Sequence, residues 1–522
     1  MTESKGLHLL SATEAAAGLA NKAFSSVELT QALLARIHRY DRSIKAFTEV
    51  LERPALEAAA ASDSRRARGS TFGALDGVPI SIKESIEMRD HPSTLGIASR
   101  MTHRAGQDAA IVQAMRDCGA VIVGRTNVAQ ALLSFECRNP VYGQCVNPRK
   151  DTHSPGGSSG GEAAALAYGA SMLGIGTDIG GSIRLPAHFS GVVGFKPTQD
   201  RWPNRGLATV LVGQEGVRSQ CGPMARSVDD LLLALECLSP DQLSALDGRV
   251  PPLPWRSLRQ LSVKNLRVAV LRTPVVLPAA RSVWRAVDLA ADALREQGAV
   301  VFDWNYDALD SMVQSFLACA SADGGNLLRA ALDGSSIDVT LRSVVSAAKL
   351  RGSTRAVIGK LASTFGQEHA SNMLSALGER TVNEFWQLVA SMRQQRLAFE
   401  RAVRAEQIDV LLTPPCATAA VPHGFGAQFA QAAAYTMVFN VTHGPAGVVP
   451  VTTVRADELD REWSADLVLR RAAKVDSMSL GLPVGVQAAS VAWRDEEVLA
   501  VMAAIERGVR EHPMRPVAVV DP

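Results

Sequence analysis

Two serines set among glycines, and one lysine closing an apolar run, are the residues of this chain best suited by type to chemistry. Ser158 stands in SPGGSSGGE (154–162), Ser182 in GTDIGGSIR (176–184), and Lys83 ends GVPISIK (77–83). The first glycine-serine stretch runs straight into GEAAALAYGA, which is strongly helix-forming. It therefore reads as a loop feeding a helix N-terminus, where free N–H groups favour negative charge. The second follows the strand-like run SMLGIGTD and has to turn at Gly180 and Gly181. Consecutive N–H groups in such a turn can converge on one point, as an oxyanion hole requires, although an ordinary glycine turn has the same composition. Neither stretch is a nucleotide-phosphate motif. GGSSGGE lacks a Gly-Lys-Ser/Thr ending, and GIGTDIGG misplaces its glycines for G-x-G-x-x-G.

A nucleophilic serine needs a base. His188 lies six residues beyond Ser182, but no spacing ties it to an aspartate, and His153, His423 and His443 are equally isolated. Each reads more simply as a packed or surface histidine. Lys83 is the alternative, because an amine emerging from a buried strand is disfavoured in its charged form. A strand-end lysine reaching water has the same sequence signature, so the residues alone leave both readings open.

Taken together, Lys83, Ser158 and Ser182, separated by 75 and 24 residues within intact glycine-serine loops, resemble the amidase signature family, hydrolases with a Ser-Ser-Lys triad. The resemblance implies Ser182 as nucleophile, Ser158 as a bridging serine on a cis peptide, and Lys83 as base. It also implies an oxyanion hole from the N–H groups of Ile179, Gly180, Gly181 and Ser182, with Ser159, Asp178 and Arg184 supporting the loops. LLSFECRNPVYGQCVNPRKDTH, RSQCGPMARSVDDLL, FNVTHGPAGVVPVTTV and SLGLPVGVQAAS are similar to the fatty acid amide hydrolase branch of that family. By this resemblance Leu132 and Leu133 line an acyl channel, the substrate is a small amide with an apolar acyl chain, and no cofactor or metal is needed. General or aryl acylamidases and glutamine-hydrolysing amidotransferase components are the alternatives within the family.

The elements that must position these residues are legible as alternating apolar runs and amphipathic helices. Strands are expected at 77–82, 120–126, 171–178, 266–271, 409–415, 447–454 and 482–490, with helices near 108–118, 161–170, 227–237, 282–297, 384–406 and 495–511. This pattern predicts an α/β fold, an α/β/α sandwich around a large, twisted, mixed and mostly parallel sheet. Capping boxes at Ser11/Glu14 and Ser25/Glu28 announce two N-terminal helices within residues 1–70. One amidase domain is expected over 1–522, with a signature core at 75–240 and a C-terminal part, 384–522, completing the sheet. Residues 199–220 and 455–478 read as irregular surface excursions.

With 54 basic and 52 acidic residues the net charge is +2, which gives no reason to expect nucleic acid. Seven scattered cysteines, none in C-x-x-C, read as reduced core thiols. No signal-peptide core or 18-residue apolar run is present, so a cytoplasmic protein is expected. Residues 341–374 fall where related enzymes carry a membrane-facing cap. Leu350, Val357, Ile358, Leu361 and Phe365 can share one helical side, with Lys349, Arg351, Arg355 and Lys360 nearby. Two readings stay open, a lid over the channel mouth and peripheral contact with anionic lipid. A homodimer is also left open.

Overall fold

The computed structural model describes residues 6–256, 258–350, 352–426 and 429–522. Eleven strands form one sheet: β1 (Phe47–Val50), β2 (Pro79–Lys83), β3 (Val121–Thr126), β4 (Leu173–Asp178), β5 (Val193–Lys196), β6 (Gln220–Ala225), β7 (Arg267–Leu271), β8 (Val300–Trp304), β9 (Val410–Thr413), β10 (Ala446–Thr453) and β11 (Pro483–Ala489). Their spatial order is β1-β3-β2-β4-β6-β5-β10-β11-β9-β7-β8. β2, β3 and β4 are completely buried along their length, so neither face of these strands meets solvent and the polar residues at their C-terminal ends are buried as well. Helices flank this large mixed sheet. Arg281–Glu296, for example, buries Val283, Ala286, Val287, Ala290 and Leu294 on one stripe and packs against β10 and β11.

Parallel pairing is concentrated in two blocks. β3, β2 and β4 form one, and β9, β7 and β8 form the other. Antiparallel neighbours β6, β5, β10 and β11 join the two blocks, and β1 pairs antiparallel with β3. Four strands are hard to read from sequence, and three of them, β1, β5 and β6, pair antiparallel, so the antiparallel share is larger than strand-helix alternation suggests. β1 is short and half-exposed, β5 has four residues, β8 is a partly exposed edge, and β6 (QCGPMA) carries Gly and Pro at its centre. The seven strands expected from sequence are present with small shifts of boundary.

Both N-terminal capping boxes are formed, and Thr381 with Glu384 makes a third. Two expectations need correction. Residues 199–220 are irregular but largely packed inward, with Trp202 fully buried, and 455–478 contains a helix, Leu467–Asp476, capped by Asp466. Among the described residues no cysteines are joined in a disulfide, and no helix is long and apolar enough to cross a membrane.

Residues 341–374 form parts of three short helices, Val339–Lys349, Gly352–Thr364 and Glu368–Ala376. Val357, Leu361 and Phe365 are exposed, Phe365 at 76%. Arg355 is turned inward and donates to the carbonyl oxygens of Ala347 and Leu350, so it does not contribute to a basic outer face. Arg351 lies outside the described residues.

Candidate active site

Two neighbouring strands, β2 and β4, and the loop before a buried helix bring the sequence-predicted residues together. Lys83 is the last residue of β2 and is wholly buried. Asp178 ends β4, and the turn Ile179–Ile183 leads from it into the helix Arg184–Ser190. Ser158 and Ser159 precede the buried helix Gly160–Ala167, and the Gly157–Ser158 peptide bond is cis. Glycine is required at Gly181, where φ is +125° and an added Cβ would collide with the Thr436 side chain.

The Lys83 amine lies 2.7 Å from Ser158 Oγ, 2.8 Å from Thr177 Oγ1 and 3.4 Å from the Thr177 carbonyl oxygen. Burial drives its pKa down to about 7, against the opposing charge of Asp178. A neutral amine has two N–H donors and one lone pair. Its donors match the two Thr177 oxygens, which leaves the lone pair for the Ser158 hydroxyl. Thr177 was not singled out from sequence, since a threonine on a buried strand carries no signal beyond its β propensity.

Ser158 and Ser182 both line a cavity of about 240 Å³. Leu132 and Leu133 line it too, half-buried in an irregular turn with left-handed backbone at Ala131 and Leu132. Their opposite wall comes from residues 199–219, including Leu207, Leu211 and Val217, so this irregular segment belongs to the site. The rim is polar, with Arg218 paired to Asp200 and Arg249 to Glu215.

The turn carrying Ser182 is anchored by one carboxylate. Asp178 accepts two bonds from Arg184, at 2.8 and 3.0 Å, and further bonds from the N–H groups of Gly181 and Ile183 and from Asn440. Burial alone would raise its pKa, but the Arg184 guanidinium holds it well below the usual carboxylate range. Arg184 is itself fixed by Asn440, Gln487 and the Thr436 carbonyl, and Thr436 Oγ1 donates to the Gly180 carbonyl. Thr436, Asn440 and Gln487 come from sequence more than 250 residues away, beyond the reach of any local pattern. Ser159 supports the other side, its Oγ bonded to the Thr177 carbonyl and N–H, and its N–H donating to the Ser182 carbonyl.

Of the four expected oxyanion donors, the Gly181 N–H is committed to Asp178. The N–H groups of Ile179, Gly180 and Ser182 have no acceptor among the described residues. His188 is not near this chemistry. It is fully buried, accepts from the Gly485 N–H at 3.0 Å and donates to the Thr418 carbonyl at 3.0 Å, and burial lowers its pKa to about 4.

Comparisons with known proteins give the same direction. Residues 28–499 match the family described as Amidase. Fatty-acid amide hydrolase 1 of Sus scrofa is 35% identical over 445 residues, 83% of this chain and 76% of that protein. A glutamyl-tRNA(Gln) amidotransferase component of Anaeromyxobacter dehalogenans is 37% identical over 303 residues, 58% of this chain and 61% of that protein. A solved fatty acid amide hydrolase structure superposes with a TM-score of 0.83 at 26% identity, covering 98% of this chain and 86% of that one. The lysine and glycine-serine loops therefore sit in a chain that belongs to the amidase family and is an amide-hydrolysing enzyme.

Proposed function

We propose that this enzyme cleaves amides of apolar carboxylic acids through an acyl-enzyme on Ser182. Neutral Lys83 takes the Ser158 proton as Ser158 takes that of Ser182, whose oxygen attacks the amide carbonyl. The oxyanion is received by the N–H groups of Ile179, Gly180 and Ser182, each essential donor contributing roughly 3–4 kcal/mol in other hydrolases. The same relay then returns the proton to the departing amine, which a poor leaving group requires. Water repeats the sequence to release the acid. The observation that carries this reading is the Ser158 hydroxyl, held 2.7 Å from a buried amine at the edge of a cavity that Ser182 also lines.

An apolar acyl group is supported by the cavity wall. Leu132, Leu133 and Ile179, which line the cavity, pack in one apolar cluster with Leu211, with Leu328 and with Leu341 of the helix Val339–Lys349. That packing favours the lid reading of this part of the chain. The lipid reading loses a basic residue with Arg355 turned inward. The amidotransferase reading is weakened by extent of likeness, 58% of the chain against 83% for the fatty-acid amide hydrolase.

The test pairs one variant with one substrate panel. Ser182→Ala should lose amide turnover by about 10⁴-fold or more, and fluorophosphonate labelling with it. On wild type, kcat/KM should rise with acyl length by about 0.8 kcal/mol per buried methylene until the cavity is full, with oleoyl amide far ahead of glutamine. Labelling that persists in Ser182→Ala, or a preference for glutamine, would sink the proposal.

A further inference from the structure

Glu162 is a fully buried carboxyl that the proposed relay does not use. It stands in the first turn of the helix Gly160–Ala167, and its side chain fills the space above Gly174 of β4, where an added Cβ would strike it. From there it bridges the strands around the lysine. Its Oε1 accepts from Thr126 Oγ1 of β3 at 2.7 Å, and its Oε2 meets Ser81 Oγ of β2, two residues before Lys83.

We infer that Glu162 is a positioning residue working as a neutral carboxylic acid, donating to Ser81 and accepting from Thr126, so that it fixes the lysine-bearing strand without placing a charge beside the base. This rests on Lys83 being that base.

Proton counting supports it. Ser171 Oγ donates to the Leu173 carbonyl at 2.8 Å, so its proton is used. Ser81 Oγ lies 2.9 Å from Ser171 Oγ as well as against Glu162 Oε2, and one hydroxyl proton cannot serve both contacts. With the Ser81 proton on Ser171, the remaining contact needs a proton from Glu162. A protonated acid completes a one-way chain from Glu162 through Ser81 and Ser171 to a backbone carbonyl. An ionised one leaves two oxygens facing each other without a proton.

Charge balance points the same way. The ionisable groups acting on Lys83 are Asp178, Cys137, Glu162 and Cys221. Asp178 is already matched by Arg184, and burial raises the Cys221 thiol far above its ordinary value. Among the described residues Lys83 is the one basic group acting on Glu162, so an ionised Glu162 would make the lysine its counter-ion and hold it charged. Burial raises the Glu162 pKa to about 8, against its bonds to Ser81 and Thr126 and the pull of Lys83.

Glutamine reproduces the proposed pattern, with an N–H₂ donor for Ser81 and a carbonyl for Thr126, whereas leucine keeps the shape and neither bond. Glu162→Gln should keep the midpoint of the acid limb of kcat within about 0.3 pH unit and its plateau within about threefold of wild type. Glu162→Leu should lose about tenfold or more in kcat at unchanged KM, with the loss restored by glutamine. A midpoint falling by about one unit or more in Glu162→Gln would mean an ionised counter-ion and overturn the inference, whether or not the leucine variant folds. Wild-type kcat in a folded Glu162→Leu would overturn it as well. Lys83→Ala separates the two failures. If that variant keeps its activity, the base assignment falls first, and if it does not, a shifted Glu162→Gln limb condemns only the role of Glu162.

Discussion

Two strands of this sheet end in a buried lysine, but the two amines face different kinds of group. Lys83 ends β2 and Lys196 ends β5, both are almost wholly buried, and burial drives each pKa to about 7. The Lys196 amine donates to the carbonyl oxygens of Pro197 and Gly444, groups that accept hydrogen bonds and have no proton to exchange. The Lys83 amine meets two hydroxyls, those of Ser158 and Thr177, on residues that both line the cavity. A depressed pKa is therefore a property of both strand ends, whereas proton transfer needs a hydroxyl neighbour that can pass its proton on. Perturbed titration marks candidates, and geometry selects among them.

The largest effect should come from breaking the comparison at Lys83. Lys83→Ala is expected to lower amide kcat by about 10³-fold, and to slow the ester of the same acyl chain less, because an alkoxide leaves with less protonation. In wild type, activity should fall as pH drops below about 7, since a lysine with a lowered pKa takes its proton there and ceases to be a base. Lys196→Met should leave that acid limb where it is. A limb that moves with Lys196, or equal losses on amide and ester in Lys83→Ala, would reassign the base.

Arg184→Met sharpens the comparison through the charge between the two lysines. Asp178 raises both lysine pKa values, and Arg184 opposes it at Lys196 and pairs with it directly. Without its partner Asp178 becomes an uncompensated buried charge, so stability should drop by about 3–5 kcal/mol in a denaturant titration. In whatever fraction folds, the acid limb should move to higher pH. An unchanged limb in a folded variant would show that the Asp178 charge does not reach Lys83.

The smallest effect is expected at His188. His188→Ala removes a neutral core imidazole and leaves the Gly485 N–H and Thr418 carbonyl without partners. The cost should be about 1–3 kcal/mol in stability, while kcat stays within about threefold when assayed below the melting transition. A loss approaching that of Lys83→Ala in folded protein would bring the histidine back as a base.

What the chain states locally is the strand-turn-helix grammar of the site. GVPISIK is apolar enough to be an interior strand, and the glycines of SPGGSSGGE and GTDIGGSIR tolerate close contacts that a Cβ would block, so three fragments and their turns could be read residue by residue. Helices with capping boxes and apolar stripes were equally legible, because capping and amphipathicity act over four to seven residues. Tertiary structure decided the rest. β6 pairs in the sheet despite its Gly and Pro, since neighbours on both sides outweigh weak propensity. Thr177 becomes a lysine partner, and Thr436, Asn440 and Gln487 become anchors of the Ser182 turn, only when distant segments meet. Above all, the sequence shows that Lys83 and Lys196 each follow apolar residues, but the atoms that each amine faces are long-range contacts. Desolvation is encoded by the strand around a lysine, and the proton acceptor or donor it faces is set by the packing of the whole sheet.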